Sequence, residues 1–201
     1  MRVFHLKKVS EASEKRRWDF LLGVLHDLAY ILAVVVVLCL LCFRVVVVSG
    51  PSMYHTLVDG DYLLLLSNSL YKTPRSGDIV VAGRTGYGEG DPIVKRIIAT
   101  EGQEVNIDFE RGVVYVDGVA LEEDYTYTNT TLWEGASFPQ IVEPGHVFLM
   151  GDNRMNSMDS RDPRIGQVDT RQIIGKAVLL FLPGNNQGKE NADFSRIGVI
   201  D

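Results

Sequence analysis

Outside one apolar run the sequence has no cysteine. Cys39 and Cys42 are the only two, and both fall within residues 28–48. The rest of the chain can therefore form no disulfide, no CxxC redox pair and no thiolate metal site. Histidine is nearly as scarce: His5, His26, His55 and His146 are the whole supply. A net charge of −6 leaves no basic excess for a nucleic-acid partner. Internal repeats and low-complexity tracts are missing, and helical periodicity is weak beyond residue 48.

What the sequence does have is a long apolar run. Leu28 to Val48 reads LAYILAVVVVLCLLCFRVVVV, with Arg44 as its one charge. At about 1.5 Å per residue, a helix of this length spans about 30 Å, the thickness of a hydrocarbon core. Arg44 lies near the outer end, where its side chain can snorkel to the interface. Trp18 and Tyr30 suit interfacial positions. The run is too long for a cleaved secretory signal, and no small-x-small cleavage site precedes Ser52. Residues 1–20 hold six basic and three acidic side chains, +3, which leaves −9 for the remainder. Basic flanks stay in the cytoplasm, so a single-pass cell-membrane protein is expected, with residues 49–201 extracytoplasmic. The expected division is a cytoplasmic basic segment over 1–27, a transmembrane helix over 28–48 and a β-rich domain over 49–201.

Beyond the run the pattern is that of short strands. Asp61–Leu66, Asp78–Ala82, Pro92–Ile98, His146–Met150 and Ile173–Leu182 are apolar stretches of strand length bounded by turn residues. Val113–Val116 and Val119–Leu121 flank Asp117-Gly118, a two-residue hairpin signal. Gly83–Gly90 reads as a glycine-rich loop and Asn185–Asp201 as a loose tail. One β domain is expected, with an inserted hairpin section near residues 100–145.

Candidate chemistry starts at Ser52, just past the apolar run. A serine hydroxyl is a poor nucleophile until a base takes its proton. His5 and His26 lie on the inner side or edge, so only His55 and His146 could serve outside. Lysine is the other option. Its free pKa of about 10.4 leaves few neutral amines at pH 7, but burial in apolar surroundings disfavours the charged form. Lys95 and Arg96 are adjacent within Pro92–Ile98, and strand alternation puts them on opposite faces. Arginine does not deprotonate in proteins, so a base in this pair is Lys95. Spacing alone leaves open that both are simply interface cations. The polar stretch Gly151–Arg161 follows an apolar strand. It lacks the alternating acidic ligands and central glycine of a calcium loop. A carboxylate beside Lys95 would favour its ammonium form, so Asp152 and Asp159 should pair with Arg96, Arg154 or Arg161.

These residues, in this order, resemble a type I signal peptidase. The resemblance covers the N-terminal anchor, Ser49–Leu57, Gly77–Ala82, Val94–Ile98 and Gly151–Arg161. It implies a compact, mainly β domain of the kind shared with self-cleaving repressors, preceded by one transmembrane helix. It implies a serine endopeptidase with Ser52 as nucleophile and Lys95 as general base. Ser157 would orient the lysine amine, and Arg96, Asp152, Asp159 and Arg161 would form a supporting ion-pair network. The backbone N–H of Ser52 would stabilise the oxyanion, with Gly50 where some members carry a second hydroxyl, as in many short Gram-positive forms. His55 stands where many members have proline, and Ala99–Gln103 replaces the usual Leu-Pro-Gly-Asp, keeping Gly102. Pockets lined by Val48, Met53, Ile93 and Val94 would admit small side chains of a signal peptide lying extended beside them. No metal and no cofactor is implied. The expected partners are signal peptides of exported preproteins, the lipid bilayer and the secretion translocase. A related Ser-Lys processing peptidase, or an inactive anchored β domain that binds exported proteins, would share much of this pattern.

Overall fold

The computed structural model describes the backbone of residues 2–83, 92–184 and 192–200, with side chains from residue 16 onward. It divides into two compact units, Met1–Leu41 and Cys42–Asp201. The first unit is a helix, α1, running Arg2–Cys42. Within it, Arg16–Cys42 is long and apolar enough to cross a membrane by length and composition. Its described side chains are exposed from Arg16 to Leu41.

The helix stops earlier than the apolar run does. Phe43–Val47 is a strand, β1, rather than the last turns of a helix reaching Val48. Two forces favour the extended form. Successive valines are stiff at χ1 and suit a pleated surface. A ladder to β2 (Tyr62–Ser67), running from Phe43↔Leu66 to Val47↔Tyr62, then occupies the backbone. Val48 is buried in the core of the second unit, with Val46 packed against it. Arg44 is consequently a strand residue opposite Leu65, not a cation at a helix end.

The other strands are β3 (Ile79–Ala82), β4 (Ile93–Thr100), β5 (Glu104–Asp108), β6 (Val113–Val116), β7 (Val119–Ala120), β8 (Gln140–Ile141), β9 (His146–Met150), β10 (Val168–Asp169), β11 (Ile173–Leu182) and β12 (Gly198–Val199). They form two antiparallel sheets. The larger has the order β1-β2-β11-β3-β4-β9-β10, with β12 added to β11, and the smaller has the order β7-β6-β5-β8. The smaller sheet is built from residues between Glu104 and Ile141. Its apolar face, Val105, Ile107, Val114 and Val116, packs with Ile98, Phe148 and Met150 of the larger sheet. Asp117 (φ 52°) and Gly118 (φ 76°) make the hairpin turn between β6 and β7. The Asp117 carboxylate accepts from Glu104 N at 2.8 Å and Gln103 Nε2 at 3.0 Å, which ties the turn to β5.

The tail differs from expectation over residues 192–200. It returns as β12 on β11, with Leu179↔Val199, and Arg196 Nη1 donates to Asp61 Oδ1 at 2.9 Å. Most of the glycine-rich loop (84–91) and the first part of the tail (185–191) lie outside the described residues.

Candidate active site

Ser52 sits on a tight turn between β1 and β2. Tyr54 N donates to Pro51 O at 3.1 Å and Leu57 N to Met53 O at 2.8 Å. Met53 and Leu57 are each 1% exposed and anchor the turn in the core. The segment after β9 grips it from the other side. Asn153 N donates to Ser52 O at 3.0 Å, and Asn153 Nδ2 to Pro51 O at 3.1 Å. Thr56 Oγ1 donates to Asp152 Oδ2 at 2.6 Å.

Lys95 reaches this turn from β4. Its Nζ lies 2.7 Å from Ser52 Oγ, with Val94 O also accepting from it at 3.0 Å. Lys95 is 3% exposed although its side chain ends in an amine. Arg96 is the other buried cation here. Its Nε and Nη2 donate to Asp152 Oδ1 and Oδ2 at 3.0 and 2.8 Å. Nη1 donates to Gly77 O at 2.9 Å, and the guanidinium stacks 4.0 Å over the Tyr125 ring. Burial and the neighbouring Glu123 push the Tyr125 phenol well above its ordinary pKa, so it stays neutral beneath the cation.

Ser157 Oγ donates to Asp159 Oδ2 at 2.7 Å. Asp159 also accepts from Gly151 N, and from Arg161 through Nε and Nη2, each at 2.9 Å. Gly151 is the close-approach point. A Cβ there would lie 2.2 Å from Ser157 Oγ and 2.5 Å from Ser52 O. The Ser157 hydroxyl and the Ser52 turn thus meet across a single glycine. Gly50, at φ +87°, lets the chain turn into the site, but its N–H donates to Asp59 Oδ1 at 2.8 Å. It offers space rather than a donor.

A cleft of about 460 Å³ opens beside Ser52 and Lys95, walled by Val46–Val48, Val81, Pro92–Val94 and Met158. Val48, Ile93 and Val94 line it. Met53 does not; it belongs to the core beneath the turn. Neither His55 nor His146 makes a described contact with Ser52. His55 is exposed beside Tyr127, with ring centroids 6.3 Å apart, and His146 Nδ1 lies 3.0 Å from Pro144 O. Among the described residues no group of three or more His, Cys, Asp or Glu side chains is placed to hold a metal.

Several site partners escaped the sequence reading. Arg154 pairs with Glu123 and donates to Thr130 Oγ1 at 2.6 Å. Glu134 lies 3.4 Å from Arg161 Nε. All three partners come from the irregular chain between β7 and β8, where no periodicity indicates which side chain faces inward.

A family model described as "Signal peptidase, peptidase S26" matches residues 21–182. A probable signal peptidase I-1 of Synechocystis is 35% identical over 71% of this chain and 72% of its own. A signal peptidase I of Bacillus amyloliquefaciens is 32% identical over 88% of this chain and 93% of its own. A crystal structure of a signal peptidase I from Enterococcus faecalis is 29% identical, covering 52% of this chain and 97% of that one, with a TM-score of 0.42.

Proposed function

Because the chain belongs to the signal peptidase family, peptidase S26, we propose that Ser52 and Lys95 are the dyad with which it cleaves signal peptides from preproteins. The observation that carries this is the buried Lys95 amine 2.7 Å from the Ser52 hydroxyl. A neutral Lys95 takes the Ser52 proton as Oγ attacks the scissile carbonyl. The ammonium so formed protonates the leaving amine, and the new ester joins Ser52 to the signal peptide. Lys95, neutral again, takes a proton from water as the water oxygen attacks the ester; the ammonium then returns that proton to Ser52 Oγ as the ester bond breaks and the signal peptide leaves as its carboxylic acid.

The surroundings support these roles. The Ser157 hydrogen is committed to Asp159, so its oxygen is left to accept from the lysine ammonium. In this reading the Ser52 backbone N–H donates to the developing oxyanion. The signal peptide lies extended in the cleft between the end of β1 and the start of β4. There β4 is open, because β9 pairs with it only from Arg96 onward. Val48, Ile93 and Val94 leave room for small side chains.

The α1 segment anchors the protein in a membrane. The excess of positive charge over residues 1–20, in its N-terminal part, assigns the N-terminus to the cytoplasm and the β unit to the far side. On that side exported preproteins arrive from the translocase along the bilayer surface.

The test is cleavage of one preprotein, with sequencing of the new N-terminus. Lys95→Met and Ser52→Ala should each remove about 10²–10⁴-fold or more of the activity while keeping the fold. His55→Ala should cleave normally. Substantial turnover by the Lys95→Met enzyme, or its loss in His55→Ala, would overturn the assignment of the base.

A further inference from the structure

The segment Leu132–Ala136 is wrapped around Arg161. Leu132 O accepts from Arg161 Nη1 at 3.3 Å, and Ala136 N donates to Arg161 O at 3.0 Å. Trp133 Nε1 donates to Ala136 O at 2.7 Å and closes the loop. Between these points Glu134 turns inward, its Oε2 3.4 Å from Arg161 Nε. That oxygen is buried and, among the described residues, has no hydrogen-bond partner. The Arg161 guanidinium, itself 0% exposed, therefore lies between two carboxylates, with Asp159 the closer. Asp159 holds both Ser157 Oγ and Gly151 N. An ion-pair chain thus leads from Glu134 to the hydroxyl beside the dyad.

We propose that Glu134 is a positioning residue of the cleavage reaction, the second carboxylate on Arg161, whose charge biases how readily Lys95 gives up its proton. The inference rests on Lys95 being the base.

The physical argument is a charge count. Asp159 and Arg161 cancel each other. Glu134 adds either nothing, when protonated, or a full negative charge when ionised. The charged groups around it are Arg161 and Lys95, which favour its ionisation, and Asp159 and Asp162, which oppose it. Asp162 is itself held by Arg164, whose Nε donates to Oδ1 at 3.0 Å. Burial dominates, and it pushes the Glu134 carboxyl up to about 7. As pH rises through neutrality the cluster gains a negative charge. That charge stabilises the Lys95 ammonium and delays its deprotonation to higher pH.

The experiment compares kcat/KM against pH for the full-length wild type and Glu134→Gln in detergent micelles. Glu134→Gln keeps the shape and removes the charge. Its acid limb should move to lower pH by roughly half a unit, the size expected for one charge in partly buried surroundings. A purely structural role would lower activity at every pH and leave the limb in place; an unmoved or upward-moved limb overturns the proposal. The Lys95→Met enzyme separates the two readings. If it cleaves, the dyad is wrong; if it is inactive while the Glu134→Gln limb stays put, only the role of Glu134 falls. A readout that needs no activity is the ¹³C carboxyl titration of Glu134 in the wild type, assigned by difference against Glu134→Asp. A midpoint near neutrality supports the proposal, and one in the ordinary carboxylate range overturns it.

Discussion

Lys95 and Arg96 are neighbours in sequence, both cationic and both buried, yet their surroundings set them to different work. Arg96 cannot lose its charge, so it is neutralised by a bidentate carboxylate and an aromatic face. Lys95 can lose its charge, and it is turned toward a hydroxyl. Removing the carboxylate from Arg96 should therefore be harmful. Asp152→Asn is expected to destabilise the β unit by about 3 kcal/mol, the usual effect of leaving one partner of a buried pair uncompensated. Urea unfolding followed by fluorescence would show it. Glu134 gives a pH-dependent counterpart. Its carboxyl, held up chiefly by burial, titrates at about 7 in the folded chain against an ordinary value of 4.5. The folded state then binds the extra proton between these values, so the contribution of Glu134 to stability falls as pH rises through that window. Glu134→Gln lacks the effect. Its stability relative to the wild type should rise from pH 5 to pH 8 in parallel denaturant titrations, and a constant difference would refute the sign.

At the scale of elements, the site is a meeting of three pieces: the Ser52 turn, β4 and the segment following β9. Asp152 joins all three through Arg96 and Thr56. Gly151 sets how closely they approach. Gly151→Ala would force a methyl group against Ser52 O and the Ser157 hydroxyl. Displacement of the dyad by about 1 Å should lower kcat by about 100-fold. Circular dichroism should still show a folded β protein, and an unimpaired kcat would show that the segment can yield. Most of the larger sheet was legible in sequence, because β2, β3, β4, β9 and β11 are apolar runs with turn residues at their ends, whereas β1, which walls the cleft, was hidden within the apolar run. The Asp117-Gly118 hairpin was legible for a different reason, since few residue pairs accept two positive φ angles. Strand β5 was not, although Glu104–Asp108 alternates in burial, because its polar residues outnumber its apolar ones. Nor were β8, β10 and β12, which are two residues long and exist only through their partners.

At the scale of the molecule, α1 gives way to strand after Cys42, not after Val48. This predicts the behaviour of truncations. A protein starting at Phe43 keeps β1 and should fold as a soluble β domain. One starting at Ser49 loses the β1–β2 ladder and the burial of Val46 and Val48. At about 1.5–3 kcal/mol per buried aliphatic side chain, it should be less stable by roughly 4 kcal/mol and prone to pairing at the bared β2 edge. Equal melting temperatures for the two would place the boundary where hydropathy alone put it. The family, the long apolar helix and the mainly β character were determined by the sequence itself, and the resemblance it carries singled out Ser52 and Lys95 as the candidate nucleophile and base. Those features are written in local order: a run of apolar residues, a strand pattern, a few ordered motifs. Tertiary structure alone decided where the helix yields to strand, since apolar valines suit lipid and sheet equally until a ladder partner is present. It alone decided that Met53 is core and not pocket, and that Gly50 N–H is already engaged. Above all it chose which acids face which arginines, because charge pairing depends on distance through space, and residues such as Glu123 and Glu134 carry no mark of their partners along the chain.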